Sequence, residues 1–242
     1  MFDMSNVTVN YGKLQVLNDF SLKGGNNRFI CLLGPSGVGK TSILNVFAGI
    51  LKPDSGSITS GAVRLAYVFQ EPRLLPWMTV EQNMEVGLFK LNRDKELRKK
   101  TVRQILQKVG LKEFARYYPE QLSGGMKQRV SIGRAFVIQP DLLLLDEPFN
   151  GLDEAIKTEM QDLLLELESW HKCTSIMVTH DIREAIKLGD RIIVIDDRPA
   201  CITLDITMSP ENKKDSEYIN ALEEKVLLTI HKTNILKGMV DN

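Results

Sequence analysis

Charge of one sign is what this sequence most plainly lacks: 31 Lys and Arg residues stand against 31 Asp and Glu, a formal net charge of zero. That balance argues against a chain-wide basic field for nucleic acid while leaving a local patch open, and no nucleic-acid partner is expected. Cysteine is scarce, with Cys31, Cys173 and Cys201 scattered and odd in number. None has metal-ligand spacing, and the first two lie in or beside apolar strand-like runs, which suits buried thiols in a reducing compartment. Long apolar runs are missing too. The apolar runs present, such as 142–145, fall far short of the roughly 18 to 20 residues that cross a bilayer. Residues 1–11 lack the basic start and apolar stretch of a signal peptide. Any link to a membrane is therefore expected to pass through a partner. No internal repeat or low-complexity tract occurs.

What is present is an ordinary globular composition, 43% hydrophobic and 26% charged over 242 residues. That is enough for one large domain, or a core with an inserted subdomain. The short, largely apolar runs at 29–33, 142–145, 175–178 and 192–195 read as buried parallel strands. Helical spacing after Lys40, over 154–170 and over 182–188 places helices between them. Strands alternating with helices predict an α/β fold with a mostly parallel sheet. Residues 76–136 differ, with a charged helical pattern over 94–109, a turn-rich stretch at 117–119 and a helix from Gly125. They read as an inserted helical subdomain. The core is then 1–75 and 137–205, and 206–242 is a tail with a helix around 218–230. The charge run over 93–100 mixes signs and reads as a solvated helix face.

Three clusters carry chemistry. Gly34-Pro35-Ser36-Gly37-Val38-Gly39-Lys40-Thr41 fits G-x-x-x-x-G-K-[ST] between a strand and a helix, the context that a P-loop requires. Glycines let the backbone wrap an anion at a helix N-terminus whose dipole favours negative charge. Lys40 supplies a point charge to the β- and γ-phosphates, and the Thr41 hydroxyl can ligate magnesium. Adenine and guanine are not distinguished by this motif. Asp146 and Glu147 end the run of leucines at 142–145, where ligands of open α/β sheets collect. Asp146 suits the magnesium shell, and Glu147 is placed to take a proton from an attacking water. Ser123-Gly124-Gly125 opens another helix and makes a second anion-binding N-terminus. It is either an ordinary capped helix start or a second hold on the same nucleotide from another molecule.

With Leu122-Ser123-Gly124-Gly125-Met126-Lys127-Gln128-Arg129 in view, the chain resembles the ABC ATPase family to about residue 199. The run is similar to the family's LSGGQ-type signature, with Met126 where glutamine is commonest. The resemblance implies a P-loop NTPase fold with an N-terminal antiparallel β portion and a helical subdomain. It also implies further roles: Tyr11 stacking on adenine, Ser42 beside the phosphates, and Gln70 as the Q-loop glutamine touching ATP and Mg2+. Asp153 would be the D-loop aspartate and His180 the switch histidine. Alone, Tyr11 reads as a strand aromatic, Gln70 as a surface amide and His180 as a satisfied strand-end histidine. Asn150-Gly151 departs from the commoner D-loop, which has alanine before the leucine.

The resemblance further implies ATP as substrate, Mg2+ as cofactor, and catalytic roles for Glu147 and His180. Two copies would pair head to tail, each ATP lying between residues 34–41 of one and 123–125 of the other. With one P-loop, one signature and no sustained heptads, the soluble ABC proteins that remodel DNA or ribosomes fit poorly, and a small-molecule P-loop enzyme gives no reason for the signature. An importer subunit on the cytoplasmic side of the cell membrane fits best, peripheral through permease subunits and served indirectly by a solute-binding protein. Gln70-Glu71-Pro72-Arg73-Leu74-Leu75-Pro76-Trp77 and Asp197-Arg198-Pro199 are similar to the branch serving nitrate, sulfonates and taurine. Sulfonates, nitrate, bicarbonate and pyrimidine-type vitamin precursors all stay open. The segment at 70–77 reads equally as a docking point for a partner helix or as a packed turn.

Overall fold

Residues 29–33 are apolar without interruption and all buried, as a strand covered on both faces requires. A computed structural model describes residues 2–25, 28–91 and 93–240, with side chains described to residue 230. In chain order the elements are β1 (Phe2–Tyr11), β2 (Leu14–Gly24), β3 (Phe29–Leu33), α1 (Lys40–Phe47), β4 (Ser55–Ser60) and β5 (Leu65–Val68). Then come α2 (Val80–Glu85), α3 (Lys95–Lys108), α4 (Gly124–Phe136), β6 (Leu142–Asp146) and α5 (Glu154–Trp170). The chain closes with β7 (Thr174–Thr179), α6 (Ile182–Leu188), β8 (Arg191–Asp196), β9 (Cys201–Thr207) and α7 (Ser216–Val240). The α/β reading, mostly parallel with an antiparallel N-terminal portion, is borne out. No helix among the described residues is long and apolar enough to cross a membrane.

Contacts divide the chain into two compact units, residues 1–61 with 174–242, and residues 62–173. In the first, β2, β1 and β4 form an antiparallel sheet, and β7, β3 and β8 run parallel with β9 antiparallel at the edge. Ile43 and Leu44 of α1 are fully buried, as are Ile193, Val194 and Ile195 of β8. The edge pair β8–β9 is clamped by Arg191, which donates to both Asp205 oxygens at 2.8 and 2.6 Å. That hydrogen-bonded guanidinium holds the Asp205 carboxyl below its ordinary range. A depressed folded pKa contributes stability that is present above the unfolded value of about 3.9 and lost as pH falls through the folded one. The pair is partly exposed, its side chains 29% and 42% open to solvent, so its worth is at most about 1 kcal/mol. In urea unfolding, the gap between the wild type and Asp205→Asn should therefore shrink toward zero as pH drops below about 4. A gap that does not change with pH would deny the pair its charge contribution.

In the second unit β5 and β6 pair in parallel, and α2 to α5 supply the helical mass. Gly133 lets three helices meet. A Cβ there would stand 2.6 Å from Met84 Cε and 3.2 Å from Ile105 Cγ2. The charged run at 93–100 is mostly exposed, with one departure from the expected solvated face. Arg98 donates to Glu85 at 2.9 Å with side chains only 13% and 20% exposed, and it covers the Phe89 ring at 5.1 Å. Burial there favours pairing over hydration. The segment at 70–77 is held from below by Asn83, which is fully buried. Its amide accepts from Leu75 N at 2.8 Å and donates to the carbonyls of Leu75, Met78 and Thr79 at 3.1, 2.9 and 3.0 Å. The Trp77 ring, 70% exposed, is not packed into that turn. Cys31 and Cys173 are buried as expected, and Cys201 is exposed. The tail helix starts close to the expected position but runs on to Val240.

Candidate nucleotide site

The described site residues fall in both units. In the first, β3 runs into a loop that opens α1, so the backbone amides of a helix start follow a buried strand. Gly37 and Gly39 lie at φ 78 and 114, left-handed backbone that favours glycine and lets the loop curl on itself. Gly34 is pinched between strand ends: its amide donates to Thr179 O at 3.4 Å, and a Cβ would run into the Ile195 carbonyl. Lys40 is buried under the loop, its Nζ donating to the carbonyls of Gly34 at 2.7 Å and Pro35 at 2.9 Å. Val38 is buried as well, whereas Ser36 and Thr41 are exposed. The Tyr11 hydroxyl lies 3.4 Å from Ser42 Oγ, with the tyrosine 49% exposed, so its ring stands open beside the helix start.

His180 follows β7 directly and is exposed. Its turn is ordered from both sides. Thr179 Oγ1 donates to Glu184 Oε2 at 2.5 Å and accepts from Asp181 N at 3.0 Å. Asp181 caps α6 by accepting from Arg183 and Glu184 amides at 2.8 and 3.3 Å. The Gly34–Thr179 hydrogen bond thus ties the head of the P-loop to the residue before His180.

In the second unit the parallel register sets Val68 opposite Leu145, so Gln70 and Asp146 leave the pair at its carboxyl end. Asp146 is 8% exposed and accepts from Tyr67 Oη at 3.2 Å. Burial first, and the facing Asp146 carboxylate next, push the Tyr67 phenol well above its usual range, so it stays a donor. Glu147 has φ 41, left-handed backbone in a residue with a full side chain, a strain that clusters at working sites. Asn150 Nδ2 donates to Glu147 Oε2 at 3.1 Å. Ser123 caps α4 by accepting from Met126 N at 3.3 Å. That bond uses an oxygen lone pair and leaves the hydroxyl proton free to donate elsewhere. Gly124 is open, and a Cβ on Gly125 would lie 2.9 Å from Ile156 Cγ2 of α5. Gln128, farther along α4 and 3% exposed, donates to the Pro148 carbonyl and ties that helix to the loop after Glu147. Asp153 caps α5 by accepting from Ile156 N at 3.0 Å.

Three contacts went unread in the sequence: Tyr67 with Asp146, Asn150 with Glu147, and Arg198 with the P-loop. The Arg198 guanidinium donates to the Gly37 carbonyl at the loop tip. Only the odd D-loop residue Asn150 left a signal, because an amide three residues after a carboxylate can fold back on it.

Comparison with known proteins adds a family, relatives and solved structures of similar fold. The ABC transporter family model matches residues 17–150. The aliphatic sulfonates import ATP-binding protein SsuB 2 of Pseudomonas syringae pv. tomato is 40% identical, over 91% of this chain and 94% of that protein. SsuB 1 of Agrobacterium fabrum is 39% identical, over 93% of this chain and 82% of its own length. Among solved structures, a dimeric bacterial ABC transporter cassette superposes with a TM-score of 0.77 at 30% identity, covering 86% of this chain and 99% of that one. A dimeric cassette in a post-hydrolysis state bound to ADP and Pi gives 0.76 at 29% identity, with the same coverage.

Proposed function

The chain belongs to the ABC transporter family, and on that premise we propose that it is the ATP-binding and ATP-hydrolysing subunit of an importer for aliphatic sulfonates or closely related small anions. The observation that carries the reading is the pair of glycine-lined helix starts, 34–41 at α1 and 123–125 at α4, in one chain. A single nucleotide needs only one P-loop, so a second start of this kind finds its use against ATP held by another copy. The dimeric cassettes of similar fold support that pairing. Relatives named for aliphatic sulfonates support the solute class.

In this reading the amides of 34–41, with Lys40, grip the phosphates. Ser42 lies close by, and Tyr11 offers its open ring to the adenine. The Ser123 hydroxyl and the Gly124 and Gly125 amides of a second copy close on the γ-phosphate, with Asp153 at the same seam. Glu147 takes the proton of the attacking water, and His180 donates to the γ-phosphate from its ordered turn. Thr41, Gln70 and Asp146 would hold magnesium, and their chemistry fits, since each offers an oxygen donor of the kind that a hard cation takes. Held by them, it would supply neutralisation of the charge that develops on the phosphates. ATP binds the closed pair better than the open one, so binding closes the pair and hydrolysis reopens it.

Gln70 and the exposed Trp77, on a turn that Asn83 holds firmly, form the docking point for a permease helix. The subunit works on the cytoplasmic face of the membrane through that permease, and a solute-binding protein acts on it indirectly. The test is reconstitution of the full chain with its permease and solute-binding protein in liposomes. An alkanesulfonate should raise ATP hydrolysis severalfold and nitrate should not. Stimulation by nitrate alone would reassign the solute, and no stimulation by any anion would sink the importer reading.

A further inference from the structure

A path of direct contacts runs through the second unit from Asp146 to the helix that begins at Ser123. Strand side chains alternate with period two, so Leu144, opposite Tyr67, and Asp146 share a face of β6. That places the Tyr67 hydroxyl on Asp146 Oδ2. The Tyr67 ring is stacked on Phe69, with centroids 4.2 Å apart and planes at 19°. The Arg73 guanidinium lies over the Phe69 ring at 4.0 Å. Arg73 itself has φ 46, and that unusual backbone is held by Arg134 of α4, which donates to the carbonyls of Arg73 at 2.9 Å and Pro72 at 2.8 Å. In the sequence Gln70 lies between Phe69 and Arg73, two members of this path.

We propose that Tyr67 is a positioning residue for the metal–nucleotide site: its hydroxyl fixes the Asp146 carboxylate, and the stack on Phe69 and Arg73 fixes Tyr67 against α4. The orientation of a carboxylate at the end of a strand is set by the partners that hold it. The Tyr67 hydrogen bond to Oδ2 is one such restraint, and partners of this kind typically change metal affinity about 10–100-fold. The stack matters because a phenol is only as well placed as its ring, and this ring is held flat by a second ring with a cation on top.

The inference rests on Asp146 being a metal ligand, so the experiment separates the two claims. Mn2+ is titrated by electron paramagnetic resonance into the full chain with a non-hydrolysable ATP analogue, for the wild type, Asp146→Asn, Tyr67→Phe and Phe69→Leu. Tyr67→Phe keeps the ring and its stack, so folding is preserved, as thermal unfolding checks. It should weaken Mn2+ about 10-fold, leave metal-free nucleotide binding unchanged, and lower hydrolysis at scarce Mg2+ with recovery at saturating Mg2+. Phe69→Leu, which keeps the hydroxyl but loses the stack, should lie between Tyr67→Phe and wild type. If Asp146→Asn weakens Mn2+ while Tyr67→Phe matches wild type, the positioning role is overturned. If Asp146→Asn also matches wild type, the metal reading fails first.

Discussion

Glu147→Gln should lower steady-state ATP hydrolysis about 10²- to 10⁴-fold, the usual worth of a general base, and leave ATP affinity within a factor of about two. The size follows from how little else the substitution touches. Glu147 leaves β6 with its backbone at φ 41, a conformation that glutamine adopts as readily as glutamate. Its Oε2 accepts from Asn150 Nδ2 at 3.1 Å, and the glutamine carbonyl oxygen can accept the same bond. The loop from 147 to 150 therefore keeps its shape, with Pro148 O still held by Gln128 of α4. What is lost is a carboxylate able to take a proton. Phosphate release measures the turnover, and fluorescence titration measures the binding. Hydrolysis near the wild-type rate would remove Glu147 from the role and turn attention to His180, exposed on its own ordered turn.

How far the molecule was legible in its sequence depended on whether the information was local. Short, largely apolar runs found β3, β6, β7 and β8, because a strand buried on both faces carries few polar positions to confuse its reading. In β7 the buried polar residues are the small Thr174, Ser175 and Thr179. Helical spacing found α5 at Glu154–Trp170 and α6 at Ile182–Leu188 with their ends correct. Each start carries an aspartate cap, Asp153 and Asp181, whose carboxylate binds the first free amides. The antiparallel elements were harder to read. Register shifts in β1 between Met4 and Val7 and between Val7 and Val9 break the alternation that marks a half-buried strand. β9 is an edge strand, mostly exposed, with little hydrophobic signature. At the candidate site, the P-loop could be read because its glycines, lysine and threonine act through one local turn. The contacts of Tyr67 with Asp146 and of Arg198 with Gly37 join residues 79 and 161 positions apart. No spacing rule encodes those.

Ser123→Arg should abolish ATP-dependent pairing while the single chain still binds ATP. Driving a pair from mostly open to mostly closed requires about 5.5 kcal/mol of preferential binding, about half of it from each of two nucleotides. In the proposed arrangement part of that comes from the hydroxyl proton of Ser123 and the amides behind it. Arginine fills that exposed helix start with a long side chain and removes the cap on Met126 N, a loss of about 0.5–2 kcal/mol to α4. Cap loss alone would mimic a weakened pair, so Ser123→Asp is the companion variant. Aspartate caps as well as serine, yet it sets a negative charge against the γ-phosphate, and it too should prevent pairing. Sedimentation velocity in the Glu147→Gln background, with and without magnesium and ATP, reads the result. Dimer in both variants at the level of the parent would mean that the helix start at 123–125 is only a cap, and that each ATP is held by one chain alone.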